Sequence, residues 1–173
     1  MDSISGLCEQ ATKTYGAALQ RLARGYEADP DRQRDLLQEI YMQLWRSLGL
    51  FDGRCSLQTW VYRVAHNVAA TYIGRSRRAS ARLVDLEAIE AGPGFVDGEA
   101  QANRQYSVAR LLERIYRLKP LDRQVMLLYL EGEPAASIAE ITGLLAANVA
   151  TKIHRIKAQL NREYGEGAVH ERK

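Results

Sequence analysis

Ala135-Ala-Ser-Ile-Ala-Glu-Ile-Thr-Gly143-Leu-Leu-Ala-Ala-Asn-Val149 reads as a short helix, a glycine and the start of a second helix. Gly143 falls four residues after Ala139, where a tight turn between helices needs positive φ or a close approach. Leu144 can pack under that turn. Beyond it, Val149, Ile153, Ile156 and Leu160 recur at helical spacing and predict the buried face of the second helix. With these inside, Asn148, Thr151, Lys152 and Arg155 fall outward or to the flanks, where such side chains can reach base edges and phosphates in a major groove. Ala146, Ala147 and Ala150 are small enough to allow close approach to a duplex. The spacing alone also fits a plain pair of antiparallel helices; the basic residues along the second helix favour a DNA-reading helix-turn-helix. His154 has no His or Cys neighbour in sequence to complete a metal site and is read as a flank or packing residue.

Working outward, helical periodicity persists. Leu36, Leu37, Ile40, Tyr41, Leu44, Trp45 and Leu48 make one apolar stripe. Leu57, Trp60, Val61, Val64, Ala65, Val68 and Tyr72 make a second, and Val108, Leu111, Leu112, Ile115 and Leu118 a third. No stretch sustains two-residue alternation, so no strands are expected. Asp29-Pro30 and Asp52-Gly53 mark turns, Lys119-Pro120 ends a helix that begins near Gln105, Gly132 caps another, and Pro134 suits a first helical turn. From Ser80 to Asn103 the pattern is lost among turn-forming and acidic residues. The expectation is an all-α chain with two small helical domains, 1–79 and 104–173. A flexible linker, 80–103, joins them, and the second domain is a helix-turn-helix.

The 173 residues suit one or two small domains, and the net charge of +3 is modest. Its distribution is more telling. Arg75, Arg77, Arg78 and Arg82 cluster in one place and Lys152, Arg155, Lys157 and Arg162 in another. Asp85, Glu87, Glu90, Asp97 and Glu99 lie between them. Two basic patches fit a polyanion touched at two points, although either patch alone also fits a solvated face. No apolar run approaches the roughly 18 residues of a membrane span, and the N-terminus lacks a signal-peptide pattern, so a cytoplasmic protein without membrane insertion is expected. Cys8 and Cys55 are too isolated for a zinc site or a disulfide framework. Gly92-Pro-Gly94 lacks the Lys-Ser/Thr of a phosphate loop, and no nucleophile or acid–base pair is evident. An enzyme is not expected, and no cofactor or metal is implied.

The helix Asp35–Leu48 sets Asp35, Gln38, Glu39 and Gln43 beside its apolar stripe, a mixture suited to docking on another helix. The segment Phe51-Asp-Gly-Arg-Cys-Ser-Leu-Gln-Thr-Trp60-Val-Tyr-Arg-Val-Ala-His-Asn67 runs on toward Tyr72 and the arginines. Trp60, Tyr62 and Tyr72 beside Arg63, Arg75, Arg77 and Arg78 suit unpaired bases and their phosphates, or, for Trp60 and Tyr72, a core.

These two stretches resemble region 2 of the extracytoplasmic-function (ECF) sigma factors of bacterial RNA polymerase. Leu121-Asp-Arg-Gln-Val-Met-Leu-Leu-Tyr-Leu-Glu-Gly132, with the helix-turn-helix after it, resembles their region 4. The resemblance implies a protein that binds core RNA polymerase and directs promoter-specific initiation. It places Asp35, Leu36, Gln38, Glu39, Leu44 and Trp45 against the β′ clamp helices, with further contact to the β subunit. It assigns Phe51, Arg54, Ser56, Arg63, Asn67, Thr71, Arg75, Arg77 and Arg78 to the −10 element, and Asn148, Thr151, Lys152 and Arg155 to the −35 element. It also implies an anti-sigma partner. The chain departs from the family pattern at Ala150, at Pro134-Ala-Ala-Ser137 and at Cys55. A helix-turn-helix regulator acting alone would leave the Asp35–Trp45 helix without a role, and a DNA-free scaffold would leave both basic clusters without one.

Overall fold

The computed structural model describes residues 2–82 and 99–170, with side chains over 5–76 and 107–162. These residues form seven helices: α1 (Asp2–Tyr26), α2 (Pro30–Leu48), α3 (Leu57–Arg82), α4 (Glu99–Arg117), α5 (Pro120–Leu130), α6 (Ala135–Thr142) and α7 (Ala146–His170). The all-α expectation holds, with no strand among the described residues. By their contacts the residues divide into two units, Met1–Tyr116 and Arg117–Lys173.

Both ends of the segment expected as linker are helical, because α3 continues to Arg82 and α4 begins at Glu99 rather than near Gln105. Glu99-Ala-Gln-Ala-Asn103 lacks an apolar stripe, but its Glu, Ala and Gln propagate a helix by intrinsic propensity. Asp85, Glu87, Glu90 and Asp97 lie outside the described residues.

In the first unit α1, α2 and α3 pack on one another. Asp29 starts α2: its carboxylate accepts hydrogen bonds from the Asp31 and Arg32 amides at 2.9 Å each, and Pro30 follows with φ already helical. Leu36, Ile40, Leu44 and Leu48 recur every four residues and are all buried. Leu19 and Leu22 of α1 and Val61, Ala65 and Ala69 of α3 complete this core. At the α1–α2 end of the unit, the Tyr116 hydroxyl of α4 donates to the Arg24 carbonyl at 2.6 Å and lies 3.3 Å from that of Glu27. These carbonyls belong to the end of α1, where helical partners run out. The end of α4 therefore belongs with the first unit, and the contact boundary falls after Tyr116 rather than ahead of 104.

The buried face of α3 differs from the expected stripe. It runs through Thr59, Val61, Tyr62, Ala65, His66 and Ala69, while Leu57, Trp60, Val64, Val68 and Tyr72 form a half-buried flank. Tyr62, expected to meet bases, is instead 4% exposed and stands edge-on to Tyr15 with ring centroids 6.2 Å apart. His66 is fully enclosed, with its Nδ1 at 2.9 Å from the Tyr26 hydroxyl. Val108 of the third expected stripe is exposed, whereas Ile115 and Leu118 are buried.

In the second unit α5, α6 and α7 close on Val125, Leu128, Ile138, Ile141, Val149 and Ile156. Gly132 (φ 84°) follows the α5 cap at Glu131, and Pro134 takes the capping position just ahead of α6 rather than its first turn.

Burial depresses the His66 imidazole from 6.5 to about 3, so it stays neutral in the folded chain at ordinary pH. In the unfolded chain it takes up a proton below about pH 6.5. The unfolded state therefore binds more protons between these values, and stability falls as pH drops through that window by about 1.4 kcal/mol per pH unit. Urea unfolding followed by tryptophan fluorescence, with both tryptophans in the first unit, is expected to show about 2 kcal/mol lost between pH 7 and pH 5. His66→Gln, whatever its stability at pH 7, is expected to lose this share of the slope.

Candidate polymerase and nucleic-acid interfaces

The buried stripe of α2 fixes what its other faces present. Asp35, Gln38, Met42 and Trp45 lie opposite that stripe and are exposed, Trp45 to 66% and Met42 to 46%. Leu50, just past the helix, is 77% exposed. An exposed tryptophan with Met and Leu beside it, rimmed by polar groups, has the make-up of a partner-docking patch. Leu36 and Leu44, expected in that surface, are 0% and 3% exposed and cannot touch a partner; they hold the helix that presents it. Met42 and Leu50 were missed, although Met42 stands three residues before Trp45 and so on the same face.

The remaining side of α2 faces α3 across an open groove of about 350 Å³. Glu39, Gln43 and Ser47 form one wall, and Val64, Asn67, Val68, Thr71 and Arg75 the other. Arg75 Nη1 bridges it to Glu39 Oε1 at 3.2 Å. Asn67 and Thr71 are both exposed, and the Thr71 hydroxyl donates to the Asn67 carbonyl at 2.8 Å. Arg63 is half-buried. Burial and the nearby carboxylates of Asp35, Glu27 and Glu39 raise the Tyr72 phenol above its usual range, with Arg32 opposing, so it stays a neutral donor beside the groove. The side chains of Arg77 and Arg78 lie outside those described.

The connection from α2 to α3 is held by local bonds. The Asp52 carboxylate accepts from the Arg54 amide at 3.1 Å and pairs with the Arg54 guanidinium at 3.0 Å, while Gly53 turns the chain at φ 75°. Phe51 stands edge-on to Trp60 with centroids 5.5 Å apart, and the Trp60 indole donates to Ser47 Oγ at 3.2 Å. Ser56, expected to contact DNA, also has a structural role. Its hydroxyl oxygen accepts from the Thr59 amide at 3.0 Å and lies 2.9 Å from the Thr59 hydroxyl, capping α3.

In the second unit Gly143 takes a left-handed conformation (φ 75°), and its amide donates to the Ala139 carbonyl at 2.8 Å. The chain thereby leaves α6 and enters α7 within three residues, as a helix-turn-helix requires. Ala146, Ala147, Asn148, Ala150 and Thr151 are exposed along the start of α7, and Leu145 just ahead of them is 72% exposed. Arg155 is exposed, but Lys152 is half-buried and paired with Asp122 in the first turn of α5. Lys152 is thus a tie between α5 and α7 rather than an open contact. Arg155 lies 3.5 Å from the same carboxylate.

Residues 12–79 match the family model Sigma-70 region 2, and residues 109–160 match Sigma-70, region 4. The chain is 28% identical to the ECF RNA polymerase sigma-E factor of Haemophilus influenzae, over 73% of this chain and 71% of that protein. It is 25% identical to the probable RNA polymerase sigma factor RfaY of Xanthomonas campestris pv. campestris over 90% of its own length, but spans only 41% of that relative. The fold is similar to that of the sigma factor RpoE in complex with the anti-sigma factor NepR from Bartonella quintana, with TM-score 0.67 and 17% identity over 89% of this chain and 94% of that one.

Removing the α3 cap by Ser56→Ala is expected to lower the unfolding free energy by about 1 kcal/mol. Ser56→Asp, which can accept the same amide, is expected to retain most of it. Thermal melts of the three proteins compare these values.

Proposed function

The chain belongs to the ECF-type RNA polymerase sigma factors, and we propose that it binds core RNA polymerase and directs promoter-specific initiation. One observation carries the reading: both sigma regions occur in order, each on residues whose surface suits its part. On this reading residues 1–79 act as region 2, residues 104–173 as region 4, and 80–103 connect them. Asp35, Gln38, Glu39 and Trp45, with Met42 and Leu50, meet the β′ clamp helices, and region 4 adds a contact to the β subunit. The Phe51–Ser56 loop and the α2–α3 groove take the opened −10 element, with Asn67 and Thr71 at its upstream edge and Arg75 on phosphates. The exposed start of α7 takes the −35 duplex.

The mechanism is recognition rather than a chemical step. Extruding a base from the stack costs a few kcal/mol, which pocket contacts and phosphate neutralisation offset. Polymerase holds the two DNA readers at a fixed separation, so engagement of one raises the effective concentration of the other. Such a protein works in the bacterial cytoplasm, with polymerase and promoter DNA. The solved RpoE structure is of a complex with an anti-sigma factor, and the exposed Trp45 patch here offers an equivalent partner a surface to cover.

Adding core polymerase to the full chain is expected to give transcription from a cognate promoter that neither component gives alone. Trp45→Ala should fold normally, since the side chain is largely exposed, and should weaken core association by roughly tenfold or more. Tight sequence-specific duplex binding by the free chain, with no association with core polymerase, would sink this reading.

A further inference from the structure

The start of α7 is unusual for a surface meant to read DNA: it carries no cation. From Gly143 to Thr151 the chain offers Leu144, Leu145, three alanines, Asn148, Val149 and Thr151. Leu145 is 72% exposed, although a leucine this open loses the favourable burial of its side chain. The cations that follow are Lys152 and Arg155, and both approach Asp122. A guanine is most often read by an Arg or Lys bidentate to its O6 and N7. Lys152, half-buried and paired, is poorly placed for that, and Arg155 stands more than two helical turns from the start of α7.

What remains at the edge has a definite chemistry. Asn148 is exposed, and its amide can donate to adenine N7 and accept from adenine N6 in one planar contact. Leu145 stands three residues earlier, just ahead of α7, and presents exposed branched methyl groups. In a major groove the one apolar group on a base edge is the C5-methyl of thymine. Ala146 and Ala147 leave the backbone free to come close. The residues that enter a groove first in a helix-turn-helix are those at the recognition helix's N-terminus.

We propose that this chain reads its upstream duplex element through an apolar–amide edge, Leu145 on a thymine methyl and Asn148 on an adenine, and so selects A·T pairs beneath the start of α7. The inference rests on the sigma-factor reading and deepens it by naming what the second unit recognises. Asp122 is the positioning residue: by holding Lys152 and drawing in Arg155 it keeps the cations to the flank and leaves discrimination to the uncharged edge. Arg155, 66% exposed in its side chain, remains free to exchange that weak pairing for a phosphate.

The test uses holoenzyme assembled from the full chain and core polymerase, presented with promoter duplexes randomised over the upstream element. Enriched sequences are expected to fix an adenine and a thymine at constant positions. Replacing that thymine by uracil, which lacks only the methyl, should weaken binding about fourfold, the value of one buried carbon. Leu145→Ala should weaken binding to the thymine duplex by a similar factor and remove the sensitivity to uracil. Asn148→Ala should lose roughly 5- to 160-fold and relax the adenine preference, as expected for one bidentate pair. Enrichment of G·C at every selected position, or a uracil effect that persists in Leu145→Ala, overturns the proposal while leaving the sigma reading intact. Holoenzyme indifferent to the whole upstream element overturns the proposal together with the −35 assignment on which it rests.

Discussion

The first unit depends on the burial of one stripe, Leu36, Ile40, Leu44 and Leu48 of α2. A helix buried along one stripe has no rotational freedom left, so every other residue on it is assigned a direction. Asp35, Gln38, Met42 and Trp45 are turned to solvent, and Glu39, Gln43 and Ser47 toward α3. One helix thereby supplies the core, the docking patch and a wall of the groove. Truncating a fully buried leucine to alanine typically costs 2–5 kcal/mol, a large fraction of the stability of a small domain. A defect in the core would thus disturb the exposed Trp45 face and the α2–α3 groove together. Leu36 and Leu44, themselves buried, hold both surfaces in place.

Charge pairing is used in two ways that differ in depth. The Glu39–Arg75 pair spans an open groove with the arginine side chain 62% exposed, and a pair of that kind contributes about 0–1 kcal/mol. Arg75 can therefore exchange Glu39 for a phosphate at little cost. Were Glu39 to meet polymerase as proposed, a partner engaging one end of this pair would free the other. Asp122 and Lys152 are enclosed much further, with 14% and 19% of their side chains exposed. Separating them would leave a partly desolvated carboxylate behind, so Lys152 stays where it is. Depth, rather than charge, decides which basic residue can serve DNA.

Much of this was legible in the sequence because it is local. Asp29 ahead of Pro30 and Gly143 between two apolar helices each act over a few residues, and each appears as read, whereas the α2 stripe is narrower than expected, with Leu36, Ile40, Leu44 and Leu48 buried and Trp45 exposed. The expectations that moved depended on depth or on distant partners. Periodicity locates an apolar stripe but does not show which of two neighbouring stripes lies deeper. In α3 the deeper one carries Tyr62 and His66, whose polar groups disguised it. Ser56 resembles a loop hydroxyl until Leu57 is known to begin a helix. Lys152 looks free until Asp122, 30 residues earlier, is brought beside it. The start of α4 was missed because helix propensity without amphipathicity leaves no periodic signal.

The uncharged start of α7 bears on why a protein of this kind would need polymerase at all. Sequence-independent affinity for a duplex comes from counterions released as cations neutralise phosphates, and it grows with the number neutralised. A recognition helix with no cation in its first turn, and with Lys152 committed to Asp122, draws little from that source. What it retains is discrimination, since apolar and amide contacts distinguish bases without rewarding mere proximity to the backbone. Weak attraction with intact discrimination suits a reader delivered to its site by something else. On the proposed function polymerase would supply the delivery, leaving the duplex to contribute only the difference between a right and a wrong sequence. Extra cations on that edge would lengthen the stay at every sequence and blunt the difference.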